Sequence, residues 1–181
     1  MSQKPKIIIC TEKGKLESYS ILLCRSIRKF GGDLADVEIF SCAPRKGFEP
    51  KESTLREFND LNVVHENLEL NKKYRSYPLA NKPLVCSYFE KKFSNQNVVF
   101  IDSDQIVFNQ PNEFALKEQL ELKIRPVDYK GVGFINRDDA EYNYWQKLEK
   151  LLKFKIPNTK VENSIGEEMF PYFNSGLIIT N

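Results

Sequence analysis

Val98-Val99-Phe100-Ile101-Asp102-Ser103-Asp104 is an apolar run that ends in two carboxylates one residue apart. Four consecutive apolar residues between polar ones read as a strand buried on both faces. On an extended strand, residues i and i+2 point the same way, so Asp102 and Asp104 are expected to project together from its carboxyl end. Open α/β sheets bind their ligands outside that end. Two hard oxygen donors at this spacing suit a Mg²⁺ or Mn²⁺ ion that bridges to phosphate. The competing local reading is an Asx-type turn at the strand end, with the carboxylates capping backbone amides.

Upstream, the chain reads as alternating strands and helices. Lys6 to Thr11 is a short apolar strand before the turn-like Glu12-Lys13-Gly14-Lys15. Leu16 to Phe30 has Tyr19, Leu22, Leu23, Ile27 and Phe30 at helical spacing, and Gly31-Gly32 stops it. A second strand over Asp36 to Ser41, a loop over Pro44 to Pro50, a helix over Lys51 to Asp60 and a strand over Asn62 to His65 follow. This β-α-β-α-β order implies parallel strands with crossover helices. A helix from about Pro83 to Phe93 comes next, with Lys82 at its anion-favouring N-terminus.

Downstream, Ile106 to Phe108 is expected to be extended and Asn112 to Leu122 helical. Arg125 to Asn136 is ambiguous, with a possible strand at Val132 to Ile135. Asp138 to Phe154 is an amphipathic helix in which Tyr142 and Trp145 are packing residues. Pro157 to Glu168 reads as a polar loop, and Tyr172 to Thr180 as a last strand. The sequence stops at Asn181, directly after an apolar strand, which raises the expectation that a C-terminal part is missing.

With 181 residues, 41% of them hydrophobic and 29% charged, the chain suits a single globular domain. Its 27 basic and 25 acidic residues leave a net charge of +2, too balanced to argue for nucleic acid as the partner. Cys10, Cys24, Cys42 and Cys86 are scattered in apolar contexts without CxxC spacing, and His65 cannot complete a zinc set. Buried thiols in a reducing compartment are the default. Ile7-Ile8-Ile9-Cys10 is too short for a secretory or membrane segment. A cytoplasmic location is expected, with peripheral contact of a basic face to a membrane left open.

Val-Val-Phe-Ile-Asp-Ser-Asp, followed by Ile-Val-Phe and Pro111, resembles the DxD segment of GT-A fold nucleotide-sugar glycosyltransferases, and most of all the glycogenin-like and lipopolysaccharide galactosyltransferase-like group. Three further segments agree in order: Ile7 to Thr11 with Tyr19, Asn81-Lys82-Pro83 before its helix, and Tyr172-Phe173-Asn174-Ser175-Gly176-Leu177. The resemblance implies a Rossmann-like GT-A fold, α/β, with a mostly parallel central sheet flanked by helices. It implies one domain over 1–181, with a nucleotide-binding half at 1–110 and an incomplete acceptor half at 111–181.

The site the resemblance implies is carried over residue by residue. Thr11 and Tyr19 hold the nucleotide, with Tyr19 stacking on the base. Lys82 neutralises the donor diphosphate or touches the donor sugar. Asp102 contacts the metal and the ribose, Ser103 belongs to the donor-binding set, and Asp104 binds the metal. Asn174 contacts sugar or acceptor as the catalytic residue. The cofactor is Mn²⁺ (or Mg²⁺), and the partners are a UDP-sugar donor and an unspecified carbohydrate, lipid-linked or protein acceptor. The resemblance favours retention of configuration. The group's downstream metal-binding His has no counterpart here, so the chain alone is expected to transfer sugar poorly.

Two other readings compete. In phosphatases of the haloacid-dehalogenase type an apolar strand also ends in Asp-x-Asp. Asp102 would be the nucleophile there and Asp104 the general acid/base. Arg137-Asp138-Asp139 imitates the later acidic pair of such enzymes, but the Ser/Thr and Lys elements before it are missing. An inactive nucleotide-sugar-binding remnant is the non-catalytic alternative.

Overall fold

A computed structural model describes residues 4–114 and 122–181. The chain divides into two compact units, one of Met1–Lys123 with Gly176–Asn181, the other of Ile124–Ser175.

The first unit is built on β1 (Lys6–Cys10), α1 (Lys15–Phe30), β2 (Ile39–Ala43), α2 (Glu52–Asp60), β3 (Val63–Asn67), α3 (Asn81–Lys92) and β4 (Val98–Ile101). Strand β5 (Leu122–Pro126) leads out of it. Helix α4 (Tyr142–Leu152) and the short pair β6 (Val161–Glu162) and β7 (Glu168–Met169) follow, and β8 (Phe173–Thr180) leads back. The sheet order is β3-β2-β1-β4-β8-β5. β3, β2, β1 and β4 run parallel, and β8 pairs antiparallel to β4 with Ile101 opposite Leu177.

The pleat of β1 explains why helices cover both faces. Ile7 and Ile9 join α1's Leu23 and Ile27 and α2's Phe58 in one cluster, while Ile8 joins α3's Val85 and Phe89 in another. All three isoleucines are fully buried, which accounts for the uninterrupted apolar run in place of alternation. Each contributes about 1.5–3 kcal/mol of transfer free energy.

Helix α1 starts at Gly14, whose φ of 113° suits a residue without Cβ. Glu17 reaches back to the Gly14 N–H at 2.8 Å, and its other oxygen accepts from the Lys51 N–H at 2.9 Å and the Thr54 hydroxyl at 2.6 Å. One carboxylate thus holds the starts of α1 and α2 together. At the other end of α1, Arg28 donates to the carbonyls of Leu61, Ala35, Val37 and Asn62.

The second unit has its own small core of Phe134, Ile156 and Phe170, with Tyr142 and Trp145 packed against it. Trp145 Nε1 donates to the Val132 carbonyl at 2.7 Å. Both aromatic residues are packing residues, as their helical spacing suggested.

Several element boundaries differ from expectation. Residues 106–108 form no strand: the Val107 N–H donates to Ser26 Oγ at 3.0 Å instead of to a sheet neighbour. Val132 to Ile135 is not a strand either. Gly133 turns back to Lys130, the Phe134 carbonyl accepts from Phe170, and the strand of this region is β5. The helix expected from Asp138 begins at Tyr142, because Asp139 accepts from the Ile135 N–H and residues before it form turns. It ends where Lys153 takes a φ of 54°. The polar loop contains the β6–β7 pair, folded around Asn163 Oδ1, which accepts from the amides of Ile165 and Glu167. Of the helix expected over Asn112 to Leu122, Asn112–Phe114 form one 3₁₀ turn, Leu122 begins β5, and residues 115–121 lie outside the described residues.

Candidate active site at the switch point of the sheet

Strand order reverses between β1 and β4: the chain leaves β1 toward β2 and β3, then crosses back by α3 to β4. A crevice opens outside the carboxyl ends at such a point. A cavity of about 400 Å³ lies there. Cys10, Glu12 and Lys13 line it from the end of β1, Arg45 and Phe48 from the loop after β2, Asn81 and Lys82 from the start of α3, and Asp102, Ser103 and Asp104 from the end of β4.

The two aspartates share this cavity, but not through the pleat of a strand. β4 ends at Ile101, and Asp102 to Gln105 form a tight turn closed by the Gln105 N–H on the Asp102 carbonyl at 3.1 Å. The Asp102 N–H is held by the Gly176 carbonyl of β8 at 2.8 Å. Ser103 is buried at the apex, with its hydroxyl 3.4 Å from the Cys10 carbonyl of β1. A turn does end the strand, but its backbone closes it and the Asp102 carboxylate engages Lys82 instead of capping an amide, so it is not the Asx-type turn; both carboxylates line the cavity.

Lys82 stands in the first turn of α3 with Nζ 2.8 Å from each carboxylate oxygen of Asp102. A cation at this end of a helix is disfavoured by the dipole, and the carboxylate offsets that cost. The same ammonium lies 5.6 Å over the Phe100 ring. Asn81 is buried beside it and accepts from Asn71 Nδ2 at 2.7 Å, which ties the preceding loop to the helix start.

A second ion pair forms another wall. Arg45 grips Glu12 through Nε at 2.9 Å and Nη2 at 2.5 Å, donates to the Arg75 carbonyl, and stacks 3.9 Å above the Phe48 ring. Both side chains are nearly buried, at 10% and 4% exposure. Cys10 adds a thiol that burial, with further contributions from Cys42, Cys86, Glu12 and Asp102, holds well above its ordinary value. It stays neutral and leaves the negative charge of the cavity to the carboxylates.

Of the expected site residues, Lys82, Asp102, Ser103 and Asp104 converge on the cavity. Thr11 is fully buried with Oγ1 donating to Ser20 at 2.7 Å, so its side chain faces the interior, while its neighbours Cys10 and Glu12 line the opening. Tyr19 is exposed on α1 and is not among the lining residues. Asn174 lies in the second unit, on a pocket of about 260 Å³ with Asp128, Tyr129 and Tyr172. His65 is placed between Ser41 Oγ at 3.0 Å and Asn67 Oδ1 at 2.9 Å, with burial lowering its pKa. Glu12, Arg45 and Phe48 were not singled out from sequence. The rule that ligands gather at strand carboxyl ends points to both of their loops.

Among the described residues no group of three or more histidines, cysteines or carboxylates gathers as a metal set. Asp102 and Asp104 remain as a pair of hard oxygen donors on one turn, which fits an ion that takes its other ligands from a substrate's phosphates.

A doubly wound sheet with paired carboxylates and a lysine at its switch point defines a nucleotide-binding α/β protein. The profile of the Rhodobacterales glycosyltransferase domain matches residues 7–181, and the chain belongs to that family. No curated protein sequence is significantly similar to it. Among solved structures, the galactosyltransferase LgtC in complex with donor and acceptor sugar analogues superposes with a TM-score of 0.58 at 12% identity, over 97% of this chain and 57% of its own. Core-mannan synthase A of Aspergillus fumigatus in an Mn/GDP form gives 0.55 at 7% identity, over 98% and 59%. Mouse xyloside xylosyltransferase 1 gives 0.50 at 14% identity, over 98% and 66%. These likenesses establish the GT-A fold. The chain spans a little over half the length of the first two. A glycosyltransferase family does not favour the haloacid-dehalogenase reading, and three strands precede β4, the strand that leads into the aspartates.

Proposed function

We propose that the chain carries the donor site of a metal-dependent glycosyltransferase that moves a sugar from a nucleoside-diphosphate donor, a UDP-sugar in the first instance, to an acceptor with retention at the anomeric carbon. The observation that carries this reading is the convergence of Lys82, Asp102 and Asp104 on one cavity at the switch point, in a chain of this family.

Asp104 and Asp102 would hold Mn²⁺ or Mg²⁺. When bound, such an ion neutralises charge on the departing diphosphate as a Lewis acid. Lys82 places a fixed positive charge at a helix N-terminus, where backbone N–H groups also favour anions, and so stabilises the same developing charge. Ser103 fixes the turn that aims both carboxylates. The Arg45 guanidinium stacked on Phe48, held by Glu12, and the Leu16 side chain offer a cationic and apolar wall on which a nucleobase can stack. Asn174, beside Tyr129 and Tyr172, offers an amide to sugar hydroxyls and is assigned to the sugar or acceptor. Thr11 supports the nucleotide end only through its buried link to Ser20. Among the described residues no helix is long and apolar enough to cross a membrane, and we assign the protein to the cytoplasm with acceptor class unspecified.

The test is a titration of Mn²⁺ and UDP into the purified chain. Metal-dependent UDP binding lost in Asp104→Asn supports the reading. Hydrolysis of a generic phosphate ester with a covalent phospho-Asp102 instead points to the phosphatase chemistry and overturns it.

A further inference from the structure

We propose that Lys82 is the resident counter-cation of Asp102, and that divalent metal and nucleoside diphosphate enter the cavity as a coupled pair, with Lys82 passing from Asp102 to a phosphate oxygen. This rests on the donor reading above and adds an exchange of partners that the reading does not require.

The geometry gives the reason. Both oxygens of Asp102 are engaged by one ammonium at 2.8 Å. A metal arriving alone meets a carboxylate already neutralised and a like charge held next to it. A diphosphate arriving alone meets a lysine committed to Asp102, with the Asp104 carboxylate lining the same cavity. Lys13 and the paired Glu12 and Arg45 also line the cavity; at the Lys82–Asp102–Asp104 group itself, an arriving cation meets the ammonium and an arriving anion meets the carboxylates. Arriving together, metal replaces ammonium at Asp102, and phosphate replaces carboxylate at Lys82. No charge is left without a partner.

The position of Lys82 suits the exchange. Its side chain is 25% exposed, so the ammonium can swing without opening the core. Its anchor, the first turn of α3, is fixed by the buried Asn81–Asn71 hydrogen bond, and Phe100 lies under the moving ammonium. Whatever metal gains by freeing Lys82 for phosphate, diphosphate gains equally by freeing Asp102 for metal.

The experiment measures Mn²⁺ alone by electron paramagnetic resonance, UDP alone by calorimetry, and each in the presence of the other, on wild type, Lys82→Met and Lys82→Arg. Lys82→Met is expected to bind Mn²⁺ alone about two- to fivefold more tightly, the range that a partly exposed ion pair commands. It is expected to bind metal-free UDP more weakly and to show a smaller mutual enhancement. Lys82→Arg keeps the charge and is expected to behave as wild type toward Mn²⁺. Lys82→Gln reads the same way as Lys82→Met and replaces it if that variant misfolds. Unchanged or weaker Mn²⁺ binding in the neutral variants, with Mn²⁺-dependent UDP binding intact in wild type, overturns the exchange while leaving the donor reading in place. Absence of Mn²⁺-dependent UDP binding in wild type overturns both.

Discussion

Asp104 is exposed at the tip of its turn, whereas Asp102 is half-buried with both oxygens on Lys82. The two carboxylates therefore respond differently to loss. Asp104→Asn is expected to weaken Mn²⁺-dependent UDP binding by about tenfold or more, since mere hydrogen-bond partners of metal ligands command about ten- to hundredfold. The fold is expected to melt as before, because Asp102, Ser103 and Gln105 make the hydrogen bonds that hold the turn.

Glu17 shows the opposite balance, with no role in the cavity and a large one in the fold. Glu17→Ala strips three donors of their acceptor and is expected to cost about 2–3 kcal/mol, read as a lower urea midpoint. Burial alone pushes this carboxyl up, but the hydrogen bonds from Thr54, Gly14 and Lys51 outweigh it and hold the group below its ordinary 4.5. The native chain thus prefers the ionised form. Its contribution is complete above the ordinary value and is lost as pH falls through the lower native one. Glu17→Gln is expected to flatten that part of the stability-against-pH curve.

At the scale of elements, the Glu12–Arg45 pair joins the end of β1 to the loop after β2. Glu12→Ala leaves a guanidinium nearly buried without its carboxylate, at a cost of about 3–5 kcal/mol measurable by thermal melting. The strands of the first unit and the helices between them were legible from uninterrupted apolar runs and from helical spacing, because each buried face is a local pattern. The cavity residues at the ends of β4 and α3 were legible for the same reason: Asp102 to Asp104 and Lys82 sit beside strong element signals. Glu12 and Arg45 were not, since an ion pair between positions far apart in sequence leaves no local period. Asp102 and Asp104 share their cavity through a turn and not through the pleat of a strand. Which residue ends a strand depends on its neighbours, here Gly176, and not on the apolar run alone. β5 and the β6–β7 pair leave little sequence signal because their apolar positions are few, and Met169 alone among them is fully buried.

Across the whole molecule, the two units carry separate cores, and a cavity in one is expected to spare the other. Phe134→Ala removes a ring stacked on Phe170 with centroids 4.4 Å apart, and is expected to speed amide exchange within 124–175 while β1 to β4 stay protected. The four cysteines are free thiols. Burial lifts Cys24, Cys42 and Cys86 to about 12 and holds Cys10 well above its ordinary value. Alkylation at pH 8 is therefore expected to be slow in the native protein and to become rapid in urea.

The antiparallel seat of β8 against β4 also has a meaning in time. A nascent chain presents Ile101 long before Leu177, its partner in the ladder, has been translated. At about 5–20 residues per second, β4 keeps one bare edge for roughly four to fifteen seconds after it emerges. During that interval the Asp102 N–H has no Gly176 carbonyl to hold it, and four buried-type side chains border an unpaired ladder. The segment that carries the chemistry is thus also the one most in need of shelter on the ribosome, and it is among the last of the first unit to gain its native edges.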